Sequence, residues 1–237
     1  MLEAINLTKV YRNGVRALSG LSARVADGEL YCLLGANGAG KTTTLSCFLD
    51  FTAASSGTVR VDGIDVAERP MDAKRRCAYV AETVAVYETL SAVENLRYFA
   101  QLCGVRLTGN AATHALDAAG LDGFQQSRPV RQYSKGMRQK LGIAIAISRG
   151  TGNLLLDEPT SGLDPTAARE LMELLARLRD EGCAILMSTH DVFRAASYAD
   201  RIGIMRGGVL VRELAPRACD RAAVESIYAD CMAGSAA

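Results

Sequence analysis

Five apolar residues in a row, Leu30-Tyr31-Cys32-Leu33-Leu34, run straight into Gly35-Ala36-Asn37-Gly38-Ala39-Gly40-Lys41-Thr42. That junction constrains the fold more than anything else in the chain. An unbroken apolar run of this length suits a strand buried on both faces, and the stretch from Thr43 to Phe51 beyond it is helical in character. The cluster matches G-x-x-x-x-G-K-[ST], whose glycines let the backbone wrap until its N–H groups point at phosphate oxygens from a helix N-terminus. On this reading Gly35, Asn37, Gly38, Gly40, Lys41, Thr42 and Thr43 form a nucleotide-binding set. Lys41 reaches the β- and γ-phosphates, and the Thr42 hydroxyl ligates Mg²⁺. The bland alternative is a glycine-rich strand-to-helix turn, but chance produces this pattern in roughly one such chain per hundred.

A second apolar run, Leu154-Leu155-Leu156, ends in Asp157-Glu158. Alone, two carboxylates at a strand end read equally as a polar turn. Beside a phosphate loop they acquire roles: Asp157 holds a water of Mg²⁺, and Glu158 orients or activates the attacking water. Phosphoryl transfer asks mostly for positioning and charge neutralisation, which Lys41, Mg²⁺ and these acids supply.

Composition removes several other classes. At 237 residues the chain is one large domain or a core with a lobe, long enough to bury roughly 70–75% of its unfolded surface. Its net charge is +1, with 27 basic residues against 26 acidic ones, so no basic footprint points to nucleic acid as a partner. The 7 cysteines are an odd number, widely spaced and without a C-x-x-C pair. Reduced thiols fit that pattern better than disulfides or a zinc site. No run of about eighteen apolar residues is present, and Met1-Leu2-Glu3-Ala4 lacks the pattern of a signal peptide. The chain itself is expected to be soluble and intracellular.

The first sixty-seven residues read as short strands and turns. Asn13-Gly14 between Ala4–Arg12 and Val15–Val25 is a hairpin signal, and Asp27-Gly28 and Asp62-Gly63 mark further turns. From about 83 to 149 the character is helical. Ser91-Ala92-Val93-Glu94 is a capping box, followed by a face of Val93, Leu96, Ala100 and Cys103. Asn110 and Gly120 bracket another helix, with His114 on its solvated side. Leu141 to Ile147 alternates like a strand, yet its alanines and upstream start signal favour a helix. After residue 150, strands at Leu154–Leu156, Cys183–Met187, Ile202–Met205 and Val209–Val211 alternate with a helix opened by Asp164-Pro165, striped by Leu171, Leu174, Leu175 and Leu178, and stopped by Gly182. Such alternation implies α/β architecture with a parallel sheet. The end of the chain reads as a short helix and a Gly-Ser-Ala tail.

Taken in order, these motifs resemble the ATP-binding subunit of ABC transporters, from about residue 2 to 213. Tyr133-Ser134-Lys135-Gly136-Met137 resembles the family's LSGGQ signature: Ser134 and Gly136 match, while Lys135 and Met137 depart from it. Ser161-Gly162-Leu163-Asp164 is similar to the D-loop, Ser188-Thr189-His190-Asp191 to the switch segment carrying His190, and Tyr11 to the aromatic residue that stacks on adenine. Ser134 and Asp164 also read as plain helix N-caps, and Tyr11 as an ordinary strand-end residue. Where the family usually has a Mg²⁺- and water-contacting glutamine, this chain has Glu82, which implies a carboxylate ligand to Mg²⁺.

The resemblance implies a P-loop NTPase core with an N-terminal antiparallel β-subdomain and an inserted helical lobe. An ATPase domain would span 1–213, with its lobe at about 83–149, and 214–237 would form a short C-terminal helix and tail. It implies ATP and Mg²⁺ as cofactors, catalysis by Glu158, His190 and Lys41, and metal contacts from Thr42, Glu82 and Asp157. Tyr11, Ser134, Gly136 and Asp164 would join the nucleotide contacts, those of Ser134 and Gly136 reaching ATP held by a second ATPase subunit, identical or not. Glu82, the Tyr-Ser-Lys-Gly-Met signature and the compact length are most similar to exporter subunits that serve a separate ABC-2-type membrane permease, at the cytoplasmic face of the membrane. A soluble ABC-type module without a permease shares every nucleotide motif and stays open. A P-loop kinase gives Ser134, Asp164 and His190 no role.

Overall fold

The computed structural model describes residues 1–108, 110–216 and 221–234. The expected tail lies, from Ser235 onward, outside the described residues, as does Cys219.

The N-terminal hairpin forms as its turn residues require. Strands β1 (Leu2–Val10) and β2 (Arg16–Val25) pair antiparallel, and Gly14 takes a φ of 82° in the connection. Strand β3 (Leu30–Leu34) then enters the central sheet and leads into helix α1 (Lys41–Phe48). Strand β4 (Ser56–Val61) pairs with the other edge of β1, and β5 (Ile64–Asp65) folds back on it. Asp62 and Gly63 between them both have positive φ, 49° and 76°, as a two-residue hairpin needs. The result is a four-stranded antiparallel sheet in the order β2-β1-β4-β5.

The central sheet adds β6 (Cys77–Val80), β7 (Asn153–Asp157), β8 (Ala184–Thr189), β9 (Arg201–Arg206) and β10 (Val209–Leu214) to β3. Its order is β10-β9-β3-β8-β7-β6. Five strands are parallel, and β10 runs antiparallel to β9. The sheet is therefore mixed at that edge. Only Gly207-Gly208 separates β9 from β10, far too short a link for a parallel crossover.

Alternate side chains of the central strands feed two different cores. Tyr31, Leu33, Leu155, Ala184 and Leu186 pack with the hairpin sheet and α1. Leu30, Cys32, Leu34, Leu154, Leu156, Ile185 and Met187 pack on the other face. Burial on both faces explains why these strands read as unbroken apolar runs rather than alternating ones. Helix α2 (Pro70–Arg75) precedes β6, on the hairpin side of the sheet through Ala73.

Residues 83 to 149 hold α3 (Ala92–Leu102), α4 (Ala111–Ala118), α5 (Gly123–Ser127) and α6 (Lys135–Ser148). The capping box at α3 is complete: Ser91 Oγ accepts from Glu94 N at 3.2 Å, and Ser91 N donates to Glu94 Oε2 at 2.8 Å. Leu96 and Ala100 are buried as expected, but Cys103 is exposed because α3 ends one residue before it. Leu141 to Ile147 is helical, with Leu141, Ile143 and Ala144 fully buried.

Helix α7 (Pro165–Asp180) is capped by Asp164, whose carboxylate accepts from Thr166 N and Ala167 N at 3.0 Å. Its stripe of Leu171, Leu174, Leu175 and Leu178 is buried, and Gly182 leaves it at a φ of 98°. Helices α8 (Val192–Tyr198) and α9 (Arg221–Ala233) complete that layer, where Val224 and Cys231 of α9 join the core.

Candidate functional site

The loop from Gly35 to Gly40 is a backbone cradle whose glycines are individually required. A Cβ at Gly40 would lie 2.7 Å from Ala17 O, and φ there is 106°. A Cβ at Gly35 would lie 2.5 Å from Met205 O. Gly38 has open space around it but a φ of 80°, so there conformation rather than room selects glycine. Gly40 is the N-cap of α1 and supplies no side-chain cap, leaving the first N–H groups of the helix to face an anion.

Lys41 is almost buried, at 6% exposure. Its ammonium donates to Gly35 O at 2.6 Å and Ala36 O at 3.2 Å. It also lies 3.2 Å from Glu158 Oε1, an ion pair without an aligned hydrogen bond. Thr42 Oγ1 donates to Asp157 Oδ1 at 3.1 Å. His190 Nδ1 is 2.8 Å from Glu158 Oε2. Strand order is what brings these residues together: β3 lies beside β8 and β8 beside β7, so the loops after all three strands meet at one edge.

A cavity of about 370 Å³ opens there, lined by Ala36, Asn37, Gly38, Gly40, Lys41, Thr42, Thr43, Glu82, Asp157 and Glu158 among others. Tyr11 stands beside it, its hydroxyl 3.3 Å from Thr43 Oγ1 and Lys9 Nζ 5.1 Å from its ring centroid. The donors suit Mg²⁺: a hydroxyl and carboxylates are hard oxygen ligands, and this ion usually shares one or two of them with phosphate oxygens and waters. Among the described residues no group of three or more His, Cys, Asp or Glu side chains would hold a metal ion unaided.

Four lining or supporting residues were not anticipated: Val15, Arg16 and Ala17 of the hairpin, and Ser188. Arg16 lines the cavity from the hairpin. Ser188, fully buried, donates to Asp157 Oδ1 at 2.5 Å and accepts from Glu158 N at 2.9 Å. Ser188 belongs to the segment around His190, but nothing in the sequence signalled its bonds to Asp157 and Glu158, and nothing singled out Arg16.

Ser134, Gly136 and Asp164 are not part of this cavity. Ser134 caps α6 by accepting from Met137 N at 3.2 Å, and a Cβ at Gly136 would lie 2.9 Å from Ala167 Cβ of α7. Lys135 covers Gly162, its ammonium 3.1 Å from where a Cβ there would sit. The segments 134–136 and 161–164 therefore form a second cluster at the N-terminal ends of α6 and α7.

The family model described as ABC transporter matches residues 18–161. A daunorubicin/doxorubicin resistance ATP-binding protein of Streptomyces peucetius is 36% identical over 214 residues, 90% of this chain and 64% of that protein, so the chain spans less than two thirds of that relative. A lantibiotic transport ATP-binding protein of Streptococcus pyogenes is 34% identical over 90% of each chain. A bacitracin transport ATP-binding protein of Enterococcus faecalis is 37% identical, over 90% of this chain and 69% of its own. Among solved structures, the ATP-binding subunit of an ABC transporter superposes with a TM-score of 0.82 at 28% identity, over 97% of this chain and 99% of that one. A dimeric ATP-binding cassette in a post-hydrolysis state bound to ADP and Pi superposes with a TM-score of 0.81 at 26% identity, over 92% and 99% of the two chains. With the phosphate cradle, the acidic strand end and these likenesses in agreement, the chain belongs to the ABC transporter family, as one of its ATP-binding ATPases.

Proposed function

We propose that this chain drives export through a separate ABC-2-type membrane permease by closing on a second ATPase subunit, itself or a close relative, around two ATP molecules. One observation carries the reading. The residues that would complete a phosphate shell occur in one chain but in two places, Lys41, Thr42, Asp157 and Glu158 around the cavity and Ser134, Gly136 and Asp164 away from it. Two copies facing each other head to tail bring the halves together.

In this reading Lys41 and the N–H groups of the cradle hold the β- and γ-phosphates, and Tyr11 stacks on the base. Thr42, Asp157 and Glu82 would hold Mg²⁺, which would supply charge neutralisation for the phosphates. Glu158 positions and deprotonates the attacking water, and His190 contacts the γ-phosphate once nucleotide separates Glu158 from Lys41. Ser134 and Gly136 bring a helix N-terminus and a hydroxyl to the phosphate held by the partner. The segment 83–149 passes the closure to the permease, within a functional unit of 1–213. Export is favoured by the resistance, lantibiotic and bacitracin proteins among the relatives, although phosphonate import proteins are similar as well. Among the described residues no helix is long and apolar enough to cross a membrane, so the chain would reach the cytoplasmic face of the membrane through its partner.

The test uses Glu158→Gln, expected to slow turnover by roughly 10²–10⁴-fold while keeping ATP bound. Loaded with ATP and incubated with detergent-solubilised native membranes, it should retain a polytopic membrane protein in stoichiometric yield. A closed ATP-bound dimer with no membrane partner would instead assign the chain to a soluble module, and export would have to be abandoned.

A further inference from the structure

Gln139 lies on α6, five residues beyond its N-cap Ser134, and is 1% exposed. Its Nε2 donates to the Glu82 carbonyl at 2.7 Å and faces the Ala81 carbonyl at 3.5 Å. Two carbonyls on one side settle the orientation of the amide, since the flipped form would set oxygen against oxygen. Its Oε1 is consequently turned away, buried and without a donor. A buried acceptor left unpaired is uncommon and calls for a reason.

The neighbours of Gln139 supply one. Arg138 Nη1 donates to Glu88 Oε1 at 2.7 Å. Gly142, almost one turn on, admits Val84 and Val80: a Cβ there would lie 2.9 Å from Val84 Cγ2 and 3.2 Å from Val80 Cγ1. Helix α6 is thus strapped to the loop after β6 at three points, and the middle strap holds the backbone of Glu82, a residue that lines the cavity. Glu82 has its carbonyl on α6 and also lines the cavity. Ser134, the N-cap of the same helix five residues before Gln139, belongs to the cluster proposed to meet the partner's phosphate.

We propose that Gln139 is a positioning residue that yokes α6, and with it Ser134 and Gly136, to the reach of Glu82 toward the metal. The inference rests on the reading of Glu82 as a Mg²⁺ ligand. With its donor engaged and its acceptor unpaired, the Gln139 amide favours any loop position in which a peptide N–H also reaches Oε1. Movement of α6 when Ser134 meets phosphate then shifts Glu82, and metal capture by Glu82 shifts the signature end in return.

The experiment combines Gln139→Met, which keeps volume but removes both polar atoms, with Glu82→Ala and the double variant. Mn²⁺ binding to the ATP-loaded chain is followed by electron paramagnetic resonance, and hydrogen exchange of 81–84 is followed without nucleotide. Gln139→Met should speed exchange across 81–84 and raise the half-saturating Mn²⁺ concentration by about 3- to 10-fold, the equivalent of one net hydrogen bond. In the Glu82→Ala background the same substitution should leave Mn²⁺ binding unchanged. If Glu82→Ala alone leaves Mn²⁺ binding intact, the metal reading of Glu82 fails and the yoke fails with it. If Glu82→Ala weakens Mn²⁺ but the two effects multiply, only the yoke fails. A Gln139→Met chain with a lower Tm and normal exchange at 81–84 would likewise reduce Gln139 to a packing residue.

Discussion

One hydroxyl serves both acids of the site. Ser188 Oγ donates to Asp157 Oδ1 at 2.5 Å and accepts the Glu158 N–H at 2.9 Å. Glu158 needs such support, since its φ of 46° lies in the left-handed region, which costs a residue other than glycine about 1–3 kcal/mol. Ser188→Ala should cost about 1–2 kcal/mol in a denaturant titration, because Thr42 still donates to Asp157 and the Ser188 carbonyl still accepts from Glu158. Steady-state kinetics should show kcat reduced about tenfold, the equivalent of 1.4 kcal/mol, with KM for ATP little changed. A raised KM for ATP with kcat unchanged would mean that Ser188 shapes binding rather than the placement of Glu158. Lys41, Thr42, Asp157 and Glu158 were legible because each sits inside a short contiguous pattern. Ser188 was not, since its role comes from standing opposite Asp157 in the β7–β8 register, and register is a tertiary fact. The same holds for Gln139, 57 residues from the Glu82 carbonyl it holds.

Elements were readable where capping and turn chemistry spoke, and ambiguous where only apolar pattern did. Ser91 with Glu94, and Asp164 with Pro165, start α3 and α7 where their side chains dictate. Leu141 to Ile147 alternates because two faces of α6 are buried, against the lobe and against β6, so its apolar pattern carries no single helical period. Cys103 left the α3 face through a helix end that periodicity alone does not announce. Ser91→Ala should cost about 0.5–2 kcal/mol of stability by urea titration. The backbone N–H of Ser91 holds the Glu94 carboxyl below its usual range. Its contribution is therefore complete above the ordinary carboxylate pKa and disappears as pH falls through the lowered value. Amide protection factors across α3 in wild type, corrected for the intrinsic pH dependence of exchange, should fall only in acid, and Glu94→Gln should remove most of that fall.

For the whole molecule, strand–helix alternation made a mainly parallel α/β sheet legible, but neither the order β10-β9-β3-β8-β7-β6 nor the two-glycine reversal into β10 could be read from it. The division of site residues into two clusters has a consequence that mixing experiments can read. On the proposed composite-site reading, Lys41→Ala should disable the cavity half. Ser134→Asp keeps a good helix cap but would set a carboxylate against the partner's phosphate and should so disable the other half. Each variant alone should be inactive. A 1:1 mixture should recover about a quarter of wild-type ATPase activity, because half of its pairs are mixed and each mixed pair of a C2 dimer has one intact site of two. No recovery would argue against composite sites.

The contact between Lys41 and Glu158 at 3.2 Å makes the cradle behave as a loaded ion exchanger. The ammonium already has its counter-ion, so an arriving anion must trade places with a carboxylate rather than enter an empty seat. A lone sulfate or phosphate offers little for that trade. A chain of linked phosphates would engage Lys41 and the uncapped N–H groups of α1 together, so multivalent anions should compete best for this ammonium.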